Sequence, residues 1–175
     1  MKPLAIALSL SCLATMPLAS QHSPHRISLV AAGGVELVGI RDNTTFTPAP
    51  TLVAGLQIQP RRSLWGMRAS TWFYNRDRIG RAQAAGFGLD LIRDFGRGDT
   101  RPYATLGLGA SWLYYSGIST SGPERDGWSG FGAVGVGILR RLGPAWIFGE
   151  ARYMRFARGG GFGAHLAPLT VGVRF

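Results

Sequence analysis

From Arg26 to the end of the chain the dominant signal is a period of two. In the stretch "RPYATLGLGASWLYY" one set of alternate residues is Ala104, Leu106, Leu108, Ala110, Trp112 and Tyr114. The intervening set is Tyr103, Thr105, Gly107, Gly109, Ser111 and Leu113. Side chains of a strand alternate between its two faces, so this pattern describes a β-strand with unlike faces and excludes an amphipathic helix. Similar alternation recurs along the chain. Val134, Val136 and Ile138 oppose Ala133, Gly135 and Gly137; Phe87, Leu89 and Leu91 oppose Gly86, Gly88 and Asp90. Met67, Ala69 and Phe73 oppose Arg68, Ser70 and Trp72, and Leu52, Ala54, Leu56 and Ile58 oppose Gly55, Gln57 and Gln59.

Eight such segments are expected, over 26–40, 51–59, 64–74, 81–94, 101–115, 128–140, 145–156 and 165–175. The connections alternate in character. "PRRS", "FGRGDT" and "RLGP" are tight or short, while "RDNTTFTPAP", "NRDRIG", "SGISTSGPERDG" and "FARGGGFGA" are mostly longer. That describes an antiparallel up-and-down meander in one domain. An even number of strands lets such a sheet close on itself and remove its edges.

The chemistry of the two faces decides what surrounds the barrel. One face is apolar and carries no charge; the other is small and polar, with isolated charges. The interior of an eight-stranded barrel is just wide enough for side chains to fill it. Part of the chain's complement of 26 glycines suits such a crowded interior, and the charges are too few for a solvated outer surface. The apolar face therefore belongs outside, against lipid, which is the pattern of a transmembrane β-barrel. A closed barrel also satisfies every backbone polar group inside a bilayer. Aromatics are expected as girdles at two levels. Trp65, Trp146 and Phe175 fall at the tight-turn end; Phe73, Tyr74, Trp112, Tyr114, Tyr115, Trp128, Tyr153 and Phe156 fall at the loop end.

The first twenty residues, "MKPLAIALSLSCLATMPLAS", have one positive charge, an apolar stretch and then small residues. This is the layout of a secretory signal peptide, with cleavage expected near Ala19 or Ser20 and residues 21–175 forming the barrel domain. The sole cysteine, Cys12, falls in that segment, so neither disulfides nor thiol chemistry are expected in the remainder. Lysine occurs only at Lys2, and the net charge of +10 is carried by arginine. Arg61, Arg62, Arg97, Arg140 and Arg141 gather at the tight turns; Arg76, Arg78, Arg81, Arg155 and Arg158 gather at the loop end. Arginine spread over two ends is not the single basic patch of a nucleic-acid binder. It fits two layers of anionic headgroups, since its planar fork binds phosphate in a bidentate manner.

In "RPYATLGLGA", "WIFGEARYMRF" and the closing "PLTVGVRF" the chain resembles the small eight-stranded outer-membrane β-barrel proteins of Gram-negative bacteria, the OmpA-transmembrane-like and OmpX-like group. The resemblance implies outer-membrane localisation and contact with outer-membrane lipids and lipopolysaccharide. It further implies that the last strand, through Leu169, Val171, Val173 and Phe175, is the signal read by the barrel-assembly machinery. A monomer is expected. Pro168 departs from an ideal closing strand, because it cannot donate a ladder hydrogen bond, and a bulge is expected there.

The inward face carries Glu36, Arg68, Asp90, Glu150, Arg152 and Arg174. Charges in a narrow barrel must be paired, so these six are expected to form an interior salt-bridge network that plugs the lumen. Arg68 and Asp90 are symmetric about the "NRDRIG" loop and are expected to face each other across the hairpin. No catalytic residue, cofactor site or metal site is expected. The alternative is a lipid-modifying barrel enzyme of the lipid A deacylase or acyltransferase type, built on His165 with Ser129 or Ser116 and Glu150. His22 and His25 lie near the start of the expected mature chain. The "RGD" string, Arg97 to Asp99, falls in a tight connection and carries no adhesive expectation.

Overall fold

The computed structural model describes residues 25–40, 43–76, 81–116, 125–157 and 165–175. They form eight strands: β1 (His25–Ile40), β2 (Asn43–Pro60), β3 (Trp65–Arg76), β4 (Arg81–Asp94), β5 (Thr100–Ser116), β6 (Arg125–Leu142), β7 (Ala145–Phe156) and β8 (His165–Arg174). Each strand pairs antiparallel with the next, and β8 pairs with β1 to close the barrel. Closure continues past β8: the Phe175 amide donates to the Leu29 carbonyl at 3.0 Å, and the Leu29 amide donates to the Phe175 carbonyl at 3.2 Å. The Phe175 ring is exposed on the outer face. The expected signal segment, residues 1–20, lies outside the described residues, as do Arg78 and Arg158.

The start of β2 and the expected bulge at Pro168 differ from the sequence reading. β2 begins at Asn43, so most of "RDNTTFTPAP" is strand and the connection from β1 is reduced to Arg41 and Asp42. Pro48 and Pro50 are tolerated because β3 pairs with β2 only from Thr51 to Ile58. Both prolines sit in an overhang paired with β1 alone, as strand prolines generally require. At Pro168 there is no bulge. The β7–β8 register is the same on both sides of it, and the ladder simply skips Arg152 and Tyr153.

The inside–outside assignment follows the alternation. Leu106, Leu108, Val134, Val136, Leu169 and Val171 are exposed, Val171 by 71 %, while Asp90 and Ser111 on the other face are fully buried. Outward positions along the middle of the strands carry no charge. An uncharged apolar surface that encircles a protein is far beyond the patches a soluble monomer tolerates.

The interior is bulkier than the sequence reading held. Trp72, Tyr74, Phe131, Phe148, Met154, Phe156 and Leu166 all point inward and are buried. Tyr74 and Phe156 thereby leave the loop-end girdle, and Trp146, half-buried beneath the Arg101 guanidinium, leaves the turn-end one. The side chains of Tyr114 and Tyr115 lie outside the described residues. These rings fit because cross-strand partners are glycine. Trp72 pairs with Gly86, Phe131 with Gly109, Tyr103 with Gly137 and Phe148 with Gly172. A Cβ on Gly86 would stand 2.7 Å from the Trp72 ring. Close packing is met by matching one large residue to one absent side chain, pair by pair.

Candidate functional site

The lumen holds the chain's most concentrated chemistry. At its centre Arg68, from β3, spans the barrel. Its Nε donates to Asp90 Oδ2 at 3.0 Å, while Nη1 and Nη2 donate to Glu150 Oε2 and Oε1 at 2.9 and 2.8 Å. Asp90 is the direct cross-strand partner of Arg68; Glu150 comes from β7, across the lumen. Arg152 donates through Nη2 to Asp90 Oδ1, and its Nε lies 3.6 Å from Glu150 Oε1. The Tyr103 hydroxyl donates to Glu150 Oε2 at 2.8 Å. Two carboxylates and two guanidiniums thus neutralise each other, with a bidentate fork at the centre, the strongest geometry for such a pair. Space for the group comes from glycine again: Gly107 is opposite Asp90, and Gly135 is opposite Arg152.

Towards the turn end lies a second polar group. Arg101 Nη1 is 3.2 Å from Asp94 Oδ2, and Gln59 Nε2 donates to the same oxygen at 3.1 Å. Gln57 donates to Gln59 at 3.5 Å. Trp146 lies 3.9 Å beneath the Arg101 guanidinium and 5.6 Å from that of Arg174, close enough for cation–π attraction. Towards the loop end the lumen is filled by apolar groups. Trp72 stacks on Tyr74 at 6.1 Å and meets Phe131 edge-on; Phe131 packs against Phe156 at 5.5 Å, beside Met154 and Leu166.

Of the six interior charges read from the sequence, Arg68, Asp90, Glu150 and Arg152 come together. Glu36 and Arg174 do not join them, although both are buried. Neither carboxylate oxygen of Glu36 has a hydrogen-bond partner among the described residues. Glu36 lines a cavity of about 20 Å³ with Thr51, Arg68, Glu150, Arg152 and Thr170, room for about one water molecule. The Nε and Nη1 atoms of Arg174 are likewise unpartnered. Sequence reasoning missed Asp94, Arg101 and Tyr103. Their parity was readable, since Asp94 falls on the same face as Asp90 and Arg101 on the same face as Tyr103.

The residues of the alternative, catalytic reading are not assembled. Ser129 points inward and donates to the Ala157 carbonyl at 3.1 Å, and Glu150 is held in the central ionic group. His165 lies on the outer wall, where its Nδ1 meets the exposed Tyr153 hydroxyl. The barrel wall separates the histidine from both. The Ser116 side chain lies outside the described residues. The Arg97–Asp99 string lies between β4 and β5 at the turn end, with Asp99 3.9 Å from Arg141.

No family model matches the chain, and no curated protein sequence matches it either. Solved structures do. Neisserial surface protein A superposes with a TM-score of 0.68 at 14% identity, covering 87% of this chain and 98% of that one. Ail, the attachment invasion locus protein of Yersinia pestis, gives 0.63 at 14% identity, covering 87% and 99%. The outer membrane enzyme PagL gives 0.53 at 12% identity, covering 85% and 98%. At these identities the likeness is one of fold: the chain has the eight-stranded closed barrel of small outer-membrane proteins. That fold includes an enzyme, so fold alone does not decide between a catalytic and a non-catalytic role.

Proposed function

We propose that this chain is an integral outer-membrane protein with a side-chain-plugged lumen, acting as a structural or interaction-bearing barrel through the loops of its loop end, without catalysis. The observation that carries the reading is the inversion of polarity. A continuous uncharged apolar surface faces outward, while paired charges and glutamines fill the inside. The strands contain 10 to 18 residues, long enough for tilted strands to cross a bilayer. The central ionic group and the aromatic layer above it fill the lumen from wall to wall, which favours a plug over a water-filled path.

The partners that follow are outer-membrane phospholipid at the turn end, lipopolysaccharide at the loop end, and the barrel-assembly machinery during biogenesis. The machinery would read the exposed Leu169, Val171 and Phe175 with Val173 along the last strand. The folded barrel would be a monomer, exported by the 1–20 signal segment. The test is fractionation and gel migration. The chain is expected in the outer membrane, migrating differently when boiled and unboiled. Recovery as a soluble periplasmic protein would overturn the reading.

The catalytic alternative draws support from PagL, which shares the fold. Lipid A profiles from cells with and without the chain separate the two readings: an unchanged profile is expected, and a deacylated or acylated product would establish the enzyme.

A further inference from the structure

Inside the barrel, glycines answer to neighbours. A Cβ on Gly135 would stand 2.6 Å from Thr105 Oγ1, and one on Gly137 would strike the Tyr103 ring. On the outer face of the same strand, Gly130 and Gly132 answer to nothing of the kind. Among the described residues a Cβ on Gly132 meets no atom within 4 Å, and one on Gly130 only the Gly109 carbonyl at 3.8 Å. Both are exposed between Trp128 and Val134, in an outward row that continues through Val136 and Ile138. Packing among the described residues does not explain why these two positions are bare.

Their effect is a groove. It has a volume of about 650 Å³ and is lined by Gly130 and Gly132 together with Leu106, Val134, Tyr153 and Arg155. Gly132 lies in register between Leu108 on β5 and Arg155 on β7, and the next residue in that row is His165 on β8. The row slopes. β7 ends at Phe156, one residue after Arg155, whereas β5 runs on to Ser116, well past Leu108. Arg155 therefore lies at the loop-end rim while Leu106 and Leu108 lie within the apolar surface. Arg155 is exposed and forms no ion pair among the described residues. Beside it stands the Tyr153–His165 hydrogen bond.

We infer that this groove binds a phosphate-bearing lipid, its phosphate at Arg155 and an acyl chain laid over Gly130 and Gly132 against Leu106 and Val134. The inference rests on the membrane reading above and names one lipid site within it. Charge complementarity sets the occupant. A guanidinium that no carboxylate among the described residues partners, at the rim of an apolar trough, suits a molecule with an anionic end and a hydrocarbon end. Arg155 supplies the donor fork, and the bare glycine backbone supplies the width that a methylene chain needs.

The test uses the full mature barrel, refolded in detergent, with diphosphoryl lipid A as the probe and native mass spectrometry as the readout. One bound lipid is expected. Arg155→Gln and Gly132→Leu should each lower the affinity about tenfold or more, the scale of one charge-assisted hydrogen bond or of a filled groove. Lipid A stripped of its phosphates should bind the unaltered barrel about as weakly as the intact lipid binds Arg155→Gln. Glucosamine phosphate, which has the anion without the chains, should not compete. Arg93→Gln, at the turn end, should leave binding unchanged. Equal binding by all variants would overturn the site, as would competition by glucosamine phosphate, or a chain dimer that Gly132→Leu dissolves. Heat-modifiable migration is recorded for every variant. Its retention with lipid binding lost in none would remove the groove and leave the barrel reading intact, whereas its absence in the unaltered protein would remove the barrel reading itself.

Discussion

The centre of the lumen and its loop-end half fill the same narrow space by opposite means. At the centre Arg68, Asp90, Glu150 and Arg152 form a neutral ionic group in which one guanidinium serves two carboxylates. Towards the loop end, Trp72 and Tyr74 of β3, Phe131 of β6 and Phe156 of β7 fill the barrel with stacked and edge-on rings. Both solutions depend on cross-strand glycines, Gly107 and Gly135 at the centre, Gly86 and Gly109 in the aromatic half. They differ in how they fail. An ionic group is held together by specific partners, so removing one member strands the rest without compensation. An aromatic layer is held by volume, so it tolerates chemistry and resists only crowding or emptying.

That contrast ranks the expected effects. The largest is at the centre. Arg68→Ala leaves two buried carboxylates with one guanidinium and is expected to destabilise the folded barrel by about 3–5 kcal/mol, measured by denaturant unfolding from lipid vesicles. The double variant Arg68→Ala with Asp90→Ala should lose less than the sum of the singles, because the pair is in direct contact. Additive losses would mean the ionic group is not one unit.

Next is crowding in the aromatic half. Gly86→Ala should cost about 1–3 kcal/mol, because its methyl group would meet the Trp72 indole. Adding Trp72→Phe should recover part of that loss. If it recovers nothing, the pairing of ring with glycine is not what fills this half.

Glu36 sharpens the comparison within the charged set. It is 1% exposed and has no hydrogen-bond partner among the described residues, whereas Glu150 has three donor groups around it. Glu36→Gln is therefore expected to leave the barrel as stable or to stabilise it by about 1 kcal/mol, while Glu150→Gln destabilises it, in the same unfolding assay. The smallest effect is on the outer wall. Gly132→Ala should change stability by no more than about 0.5 kcal/mol, since its methyl group meets nothing among the described residues.

Period-two alternation made the wall of the barrel readable before any coordinates, because every residue of a spanning strand must choose between lipid and lumen. The contact between Arg68 and Asp90 was readable for a further reason: a short hairpin fixes which residues face each other. The same symmetry pairs Trp72 with Gly86, so the ring-on-glycine device is also within reach of the sequence, although alternation alone places Trp72 on a face of small polar residues. Size is the information that alternation does not carry. Tyr74, Trp146 and Phe156 were assigned to interfacial girdles by their height along the strands, whereas their parity places them inside. The separation of Glu36 and Arg174 from the ionic group was beyond sequence reasoning. It depends on which side chains reach across the lumen, and strand-to-strand distances around a closed barrel are not written in any one hairpin. The short first loop is not legible in the sequence because Pro48 and Pro50 read as loop residues, whereas an overhanging strand paired on one side accommodates them.

The central claim is that the apolar face meets lipid and the polar face meets the lumen. It is tested most directly by quenching of tryptophan fluorescence with lipids brominated along their acyl chains. Two proteins are refolded into such vesicles, each keeping a single tryptophan and carrying phenylalanine at the others. In one the remaining residue is Trp128, which is 62% exposed on the outer wall; in the other it is Trp72, which is 7% exposed and stacked within the lumen. Strong quenching of Trp128 with little quenching of Trp72 is the expected result. Strong quenching of Trp72 with Trp128 left bright would show that the barrel is turned the other way, with its apolar face inside.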